Sequence, residues 1–421
     1  PFAAAAPAPV WPRLQSANLA PAADAPAPGL VTHELGDFVT LYNASTLPAA
    51  SNRTIAILAP GALTGTLADL KAYTTAHQLP AVSTQVIWTD QATHPENPTT
   101  DLLWTTAAEA VVAAAGGVKK LIFYSPSDFS EANLLLAMDK IAANSTNSDL
   151  AAQVVLLPFG MWEDDAVATG LMNTIDGTIG FDPQGVMPLF VAPAGDNGPY
   201  AQQQGVMEDA QRHWLFDFSQ YTVNYPASSP WVDAVGGTSL YTDASGAYAY
   251  ETVWNAGLSQ ASATSNYQLL AGGGGVSRFE TARNGISPVA GQPNRVVPDL
   301  AMNADPKSGA LIYRQNSATP TAVGGTVLAA ALYAGLALRI GSSGALGRPD
   351  YTPYLDLGSV VDGLTDIVTY TQHHLMNITR DQVVHPINSG SNGYGIYGYK
   401  AGQGYDAASG WGSLNALGAY Q

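Results

Sequence analysis

The chain has 421 residues, of which 46% are hydrophobic and 12% charged, and its formal net charge is -17. Such a length supports a full hydrophobic core, but the acidic balance leaves no basic stripe for phosphates and excludes nucleic acid as a partner. With no cysteine, disulfides, thiolate chemistry and zinc-thiolate sites are excluded as well, and no apolar run reaches the ~18 residues of a membrane span.

Residues 1–29 start at Pro1 and are rich in alanine and proline, as in Ala3-Ala4-Ala5-Ala6-Pro7-Ala8-Pro9. This composition predicts an extended arm or linker, left by removal of something upstream. The ordered domain is expected over residues 30–421. Thr54-Ile55-Ala56-Ile57-Leu58 predicts a buried strand stopped at Pro60-Gly61, followed by a helix near Leu67 to His77. Trp104 to Ala115 predicts an alanine-rich helix, and Leu121-Ile122-Phe123-Tyr124 a buried strand. Phe129 to Ala143 predicts a helix, and Val154-Val155-Leu156-Leu157 a strand ending at Pro158-Phe159-Gly160. A further strand over Pro188 to Ala192 is stopped by Pro193-Ala194-Gly195-Asp196-Asn197-Gly198. Short apolar strands alternating with helices predict a single α/β domain, its sheet predominantly parallel with helices on both faces. Sites in such sheets lie at the C-terminal ends of the strands, where Asp196 falls.

The turn Val323-Gly324-Gly325-Thr326-Val327 runs into a helix of small residues, Leu328 to Gly335. Hydrolases hold a nucleophile on such a bend at a helix N-terminus. Here the position holds valine, which has no hydroxyl to deprotonate.

Several further motifs follow in order. They are Tyr225-Pro226-Ala227-Ser228-Ser229-Pro230 leading to Gly236-Gly237-Thr238, then Gly273-Gly274-Gly275, Pro298-Asp299-Leu300-Ala301, and Gly404-Tyr405-Asp406. With the 323–327 turn, these resemble the sedolisin (serine-carboxyl peptidase) family over nearly all of the ordered chain. The resemblance implies a subtilisin-like fold, an upstream prodomain, and an acid peptidase. In that family a serine is activated by a glutamate paired with an aspartate, while a protonated aspartate stabilises the oxyanion.

Carried over residue by residue, the resemblance puts Val327 at the serine position. It puts Leu103 and Ala107, spaced i, i+4 before Ala115-Gly116-Gly117, at the positions of the glutamate and its aspartate. Glu109 matches a non-catalytic glutamate one turn on. The oxyanion aspartate is kept as Asp196, and the pocket turn becomes Pro158-Phe159-Gly160. Three of four catalytic positions are thus apolar, and the peptidase mechanism is expected to be lost. The resemblance also implies a Ca²⁺ site built from the carboxylates of Asp366 and Asp406 and the carbonyls of Ile367, Gly402 and Gly404, all hard oxygen ligands.

Other polar groups read as structural. Ser239, in Gly236-Gly237-Thr238-Ser239, lies on a strand with no helix behind it. Glu163-Asp164-Asp165 and Glu208-Asp209 read as solvated acidic loops, and His373-His374 as part of a surface loop. The expected protein is secreted or extracellular, periplasmic or cell-surface, and serves a binding or structural role with a peptide or extracellular polymer as ligand. Two other readings stay open. One is an enzyme of another class, an acid hydrolase or lyase using carboxylates such as Asp196 and Glu163. The other is a residual acid endopeptidase.

Overall fold

A computed structural model describes residues 15–16, 29–96, 98–180, 187–200, 207–208, 214–215, 221–259, 268–282, 289, 291–315, 317, 319–342, 384–394 and 397–417. The apolar runs become strands where expected, and all but the one over 189–193 are followed by a helix before the next strand of the main sheet. In chain order these are β1 (Thr54–Leu58), α1 (Thr64–Ala76), β2 (Ser83–Trp88), α2 (Pro98–Ala115) and β3 (Lys120–Ser125). Next come α3 (Glu131–Asn144), β4 (Val154–Leu156), α4 (Glu163–Thr169), α5 (Leu171–Gly180), β5 (Leu189–Pro193) and β6 (Val232–Thr242). The last third adds β7 (Tyr248–Val253), β8 (Gly275–Thr281), β9 (Asn294–Val297), β10 (Leu300–Asn303), β11 (Ala310–Ile312), β12 (Thr321–Gly324) and α6 (Thr326–Ser342).

The main sheet runs β7-β6-β5-β4-β1-β3-β2, with β10 also beside β6. All its pairings are parallel except β6 with β7. β1 is wholly buried, as a strand covered on both faces must be. β2 has no counterpart among the expected strands. It is an exposed edge strand, and Ser83-Thr84-Gln85 breaks the apolar signal. α2 starts at Pro98, six residues before the alanine-rich stretch, because proline suits the first turn of a helix.

α1, α2 and α6 pack together, with α6 against the sheet; α3, α4 and α5 form the second helix group. The crossing of α2 and α6 is built from small residues. A Cβ at Gly335 would stand 2.5 Å from the Val111 carbonyl oxygen and 2.7 Å from the Ala114 Cβ. Buried Arg339 then closes the end of α2, donating from Nε to the Ala115 carbonyl and from Nη1 to that of Ala44. Gly335→Ala is therefore expected to destabilise the fold by about 1–3 kcal/mol despite alanine's better helix preference, because backbone cannot yield to the methyl group. Thermal unfolding would read this; an unchanged melting temperature would mean that the helices can separate freely.

A second sheet carries the turn before α6. Its order is Gln15–Ser16, β12, β11, His33–Glu34. From within the expected arm, Gln15 pairs with Gly324 and Ser16 with Val323.

Candidate functional site

The chain leaves β5 through Ala194 into Gly195, whose φ of +109 turns it sharply and sets Asp196 against the start of α6. Opposite it, β12 ends at Gly324. A Cβ there would collide with the Ala304 carbonyl, so only glycine lets the strand pass. Gly325 follows in the left-handed region with φ +99, and Thr326 begins the helix.

Asp196 and Thr326 join the two turns. Asp196 Oδ1 accepts the Thr326 N–H and the Thr326 hydroxyl, both at 2.8 Å, and that hydroxyl accepts the Gly195 N–H at 3.2 Å. The aspartate thus caps the helix rather than binding amides of its own turn. It is buried, and among the described residues Oδ2 has no hydrogen-bond partner. Burial raises its pKa to about 6 against the opposing Thr326 bonds, and among the described residues no other charged group acts on it. It is an isolated carboxyl, largely neutral in acid.

Around it the expected catalytic positions are apolar core. Val327 is 1% exposed, Leu103 5% and Ala107 0%, and all three belong to the main hydrophobic cluster. An aromatic file crosses the same region. Trp104 meets Phe129 edge-on at 6.1 Å, and Phe129 lies 5.0 Å from Phe159 of the pocket turn. The glycine-rich loop closes over the other side, with the Gly273 N–H donating to the Gly195 carbonyl at 2.6 Å.

Ser239 sits on β6, and its hydroxyl donates to Asp305 Oδ2 at 2.6 Å, a structural tie. Glu163 departs from the solvated-loop expectation. It is fully buried at the start of α4; Oε2 accepts the Ser277 hydroxyl at 2.7 Å and Oε1 the Arg278 N–H at 2.8 Å. With both oxygens committed, it pins β8 rather than pairing with Asp196. Asp209, His373 and His374 lie outside the described residues. Glu109 is buried on α2, and burial raises its pKa to about 9 against an opposing interaction with the Tyr313 backbone. Its composition-neutral position on an alanine-rich helix gave no signal of that.

Of the expected calcium ligands, Asp366 and Ile367 lie outside the described residues. Asp406 is held in a tight turn. Oδ1 accepts the N–H groups of Ala408 and Ser409 and the Ser409 hydroxyl, and Oδ2 the Gly402 N–H at 2.9 Å. The Ser409 hydroxyl also reaches Oδ2 at 3.1 Å and could yield it to a cation. A Cβ at Gly402 would meet no described atom within 4 Å, and Gly404, at φ +97, turns its carbonyl as few other residues could. This half-site suits a hard cation in donor type. Among the described residues no group of three or more His, Asp or Glu could hold a metal, so any ion here depends on carbonyls and on Asp366.

A solved structure has the same architecture. Pseudomonas sedolisin, a serine-carboxyl proteinase complexed with two molecules of pseudo-iodotyrostatin, matches with a TM-score of 0.77 at 32% identity, over 93% of this chain and 98% of that one. The chain belongs to the sedolisin family. Among curated relatives, sedolisin from Pseudomonas sp. (strain 101) is 35% identical over 392 residues, which is 91% of this chain and 60% of that protein. Xanthomonalisin from Xanthomonas sp. (strain T-22) is 32% identical over 403 residues, 92% of this chain and 46% of that protein. The chain spans about half to three-fifths of the length of these sedolisin-family relatives. No protein-family model matches it. The subtilisin-like α/β fold with a mostly parallel sheet is thereby established. No helix among the described residues is long and apolar enough to cross a membrane.

Proposed function

We propose that this sedolisin-family protein is a pseudo-peptidase, acting by binding or as a structural component rather than by cleaving peptides. The observation that carries this reading is Val327, buried on the turn where the family's serine would stand, next to Thr326, which Asp196 caps. A nucleophile needs a base within hydrogen-bond reach, and Leu103 and Ala107 supply none. The separate commitments of Asp196 and Glu163 likewise favour this reading over a hydrolase or lyase built on that pair. A peptide or extracellular polymer is the proposed ligand. Secretion into an acidic medium fits a fold in which burial raises the carboxyls of Asp196, Glu109 and Glu251. The test is digestion of a denatured protein mixture from roughly pH 2.5 to 7, read by mass spectrometry. Folded protein should yield no new termini; termini that vanish in Asp196→Ala would show that a peptidase survives.

Calcium is part of the same proposal. It would be held by Asp406 and Asp366 with the carbonyls of Ile367, Gly402 and Gly404, and would tie the C-terminal loops together. Chelation is expected to lower stability by about 3 kcal/mol relative to calcium at a hundred times its dissociation constant. Calorimetry with and without chelator reads this directly, and superimposable melting curves would remove the ion from the proposal.

A further inference from the structure

Near the C-terminus, Val384–His385 pairs antiparallel with Ser413–Leu414, setting His385 opposite Ser413. Beside this strand pair the Ala301 N–H of β10 donates to the Gly412 carbonyl at 2.9 Å. On the side of edge strand β7, the His385 ring stacks on Tyr248, with centroids 4.2 Å and planes 24° apart. The Tyr248 hydroxyl donates to Oε2 of Glu251 at 3.3 Å, and the Ser413 hydroxyl donates to the same oxygen. His385, Tyr248, Glu251 and Ser413 thus close a circuit between the C-terminal strands and β7.

His385 is the one member of that circuit that can become a cation. Its Nε2 is shut off from water and has no hydrogen-bond partner among the described residues. A neutral ring can carry its proton on Nδ1 and leave Nε2 bare, whereas the protonated ring would hold an N–H there with nothing to receive it. β7 brings Tyr248 and Glu251 to this place, while Ser413–Leu414 and β10 carry no titratable side chain. Glu251 offers little relief. It is fully buried, and besides Tyr248 and Ser413 it takes the hydroxyls of Tyr42 at 2.8 Å and Thr238 at 2.6 Å. Burial raises its pKa against those four donors, and burial lowers that of His385 to about 4.

We propose that His385 is an acid-sensitive clasp, which when neutral seats the 384–385/413–414 strand pair on β7 and when protonated lets that pair lift from Tyr248. The chain between the two strands includes Asn392, whose Nδ2 donates to the Gly274 carbonyl at 3.4 Å. Opening the clasp would therefore slacken the stretch that borders the glycine loop. The clasp is a property of the fold and does not depend on which ligand the cleft takes.

The test is hydrogen exchange of the full chain from pH 4 to 7, comparing amides 384–385 and 413–414 with those of α6. The seated ring binds its proton less readily than the free one, so the clasp is at full strength above pH ~6.5 and weakens as pH falls towards 4. Protection relative to α6 should drop about tenfold per pH unit in that window, on the order of 300-fold in all. Proton uptake by Glu251 has the opposite sign and would tighten the contact in acid. His385→Phe keeps a flat ring on Tyr248 and takes no proton, so its profile should stay level. His385→Ala, with no ring, should leave these amides poorly protected even at pH 7. In the wild type, the imidazole C–H signals of His385 should titrate near pH 4. A His385→Phe profile that falls with the wild type would overturn the clasp, as would full protection in His385→Ala or an imidazole midpoint near 6.5.

Discussion

Serine at position 327 is expected to return no measurable peptide cleavage when introduced alone. In serine peptidases the nucleophile and its base act as a unit. Losing one costs about as much as losing all, on the order of 10⁶ in kcat. Val327→Ser would put a hydroxyl at the N-terminus of α6 with an apolar α2 face opposite, and a hydroxyl of ordinary pKa is a weak nucleophile. The triple variant Leu103→Glu, Ala107→Asp, Val327→Ser supplies base and orienter one turn apart on α2, with Asp196 already placed by Thr326. It is expected to cleave at least ~10³-fold above the single variant near pH 4. Acid matters twice, because Asp196 must be protonated to donate and because the new buried carboxyls are tolerated best when neutral. Cleavage by Val327→Ser alone would reveal a base elsewhere and end the pseudo-peptidase reading.

Stability should decline from about pH 4 towards neutrality as buried carboxyls ionise, partly offset by buried His385, whose pKa burial lowers to about 4. Burial raises Asp196 from 3.8 to about 6 and Glu109 from 4.5 to about 9. Between each pair of values the folded protein binds more protons than the unfolded chain, so stability falls as pH rises through that window. It is fully present below the unfolded values. By pH 7 each group has cost about 3 kcal/mol. Acids shifted the other way, such as Asp128 and Asp243, are held low by the Ser130 and Ser245 hydroxyls but lie at the surface, where solvent screens the effect. Glu109→Gln should remove one of the large contributions, recovering roughly 4 °C of the melting temperature lost between pH 4 and 7. An unchanged pH dependence in that variant would place the proton uptake elsewhere.

How far the sequence reached depended on how local the signal was. Runs such as Thr54 to Leu58 and the turn Gly324-Gly325-Thr326 declare themselves within a few residues, and both stand where expected. β2 escaped because an edge strand can be polar. Asp196 was placed by its strand end, but its actual partner, Thr326, is 130 residues away. Glu163 read as solvated because acidic neighbours surround it in the chain, whereas in the fold it meets Ser277 across 114 residues.

The tight crossing of α2 and α6 also has a price in time. The Gly335 notch that receives the Val111 carbonyl is made roughly 220 residues after it, which at ~5–20 residues per second is about 10–40 s of synthesis. Until then, the alanine-rich face of α2 has nothing to cover it. A nascent chain stalled before α6 should therefore be sticky, and a ribosome-associated holdase should bind it between the completion of α2 and the emergence of residue 335.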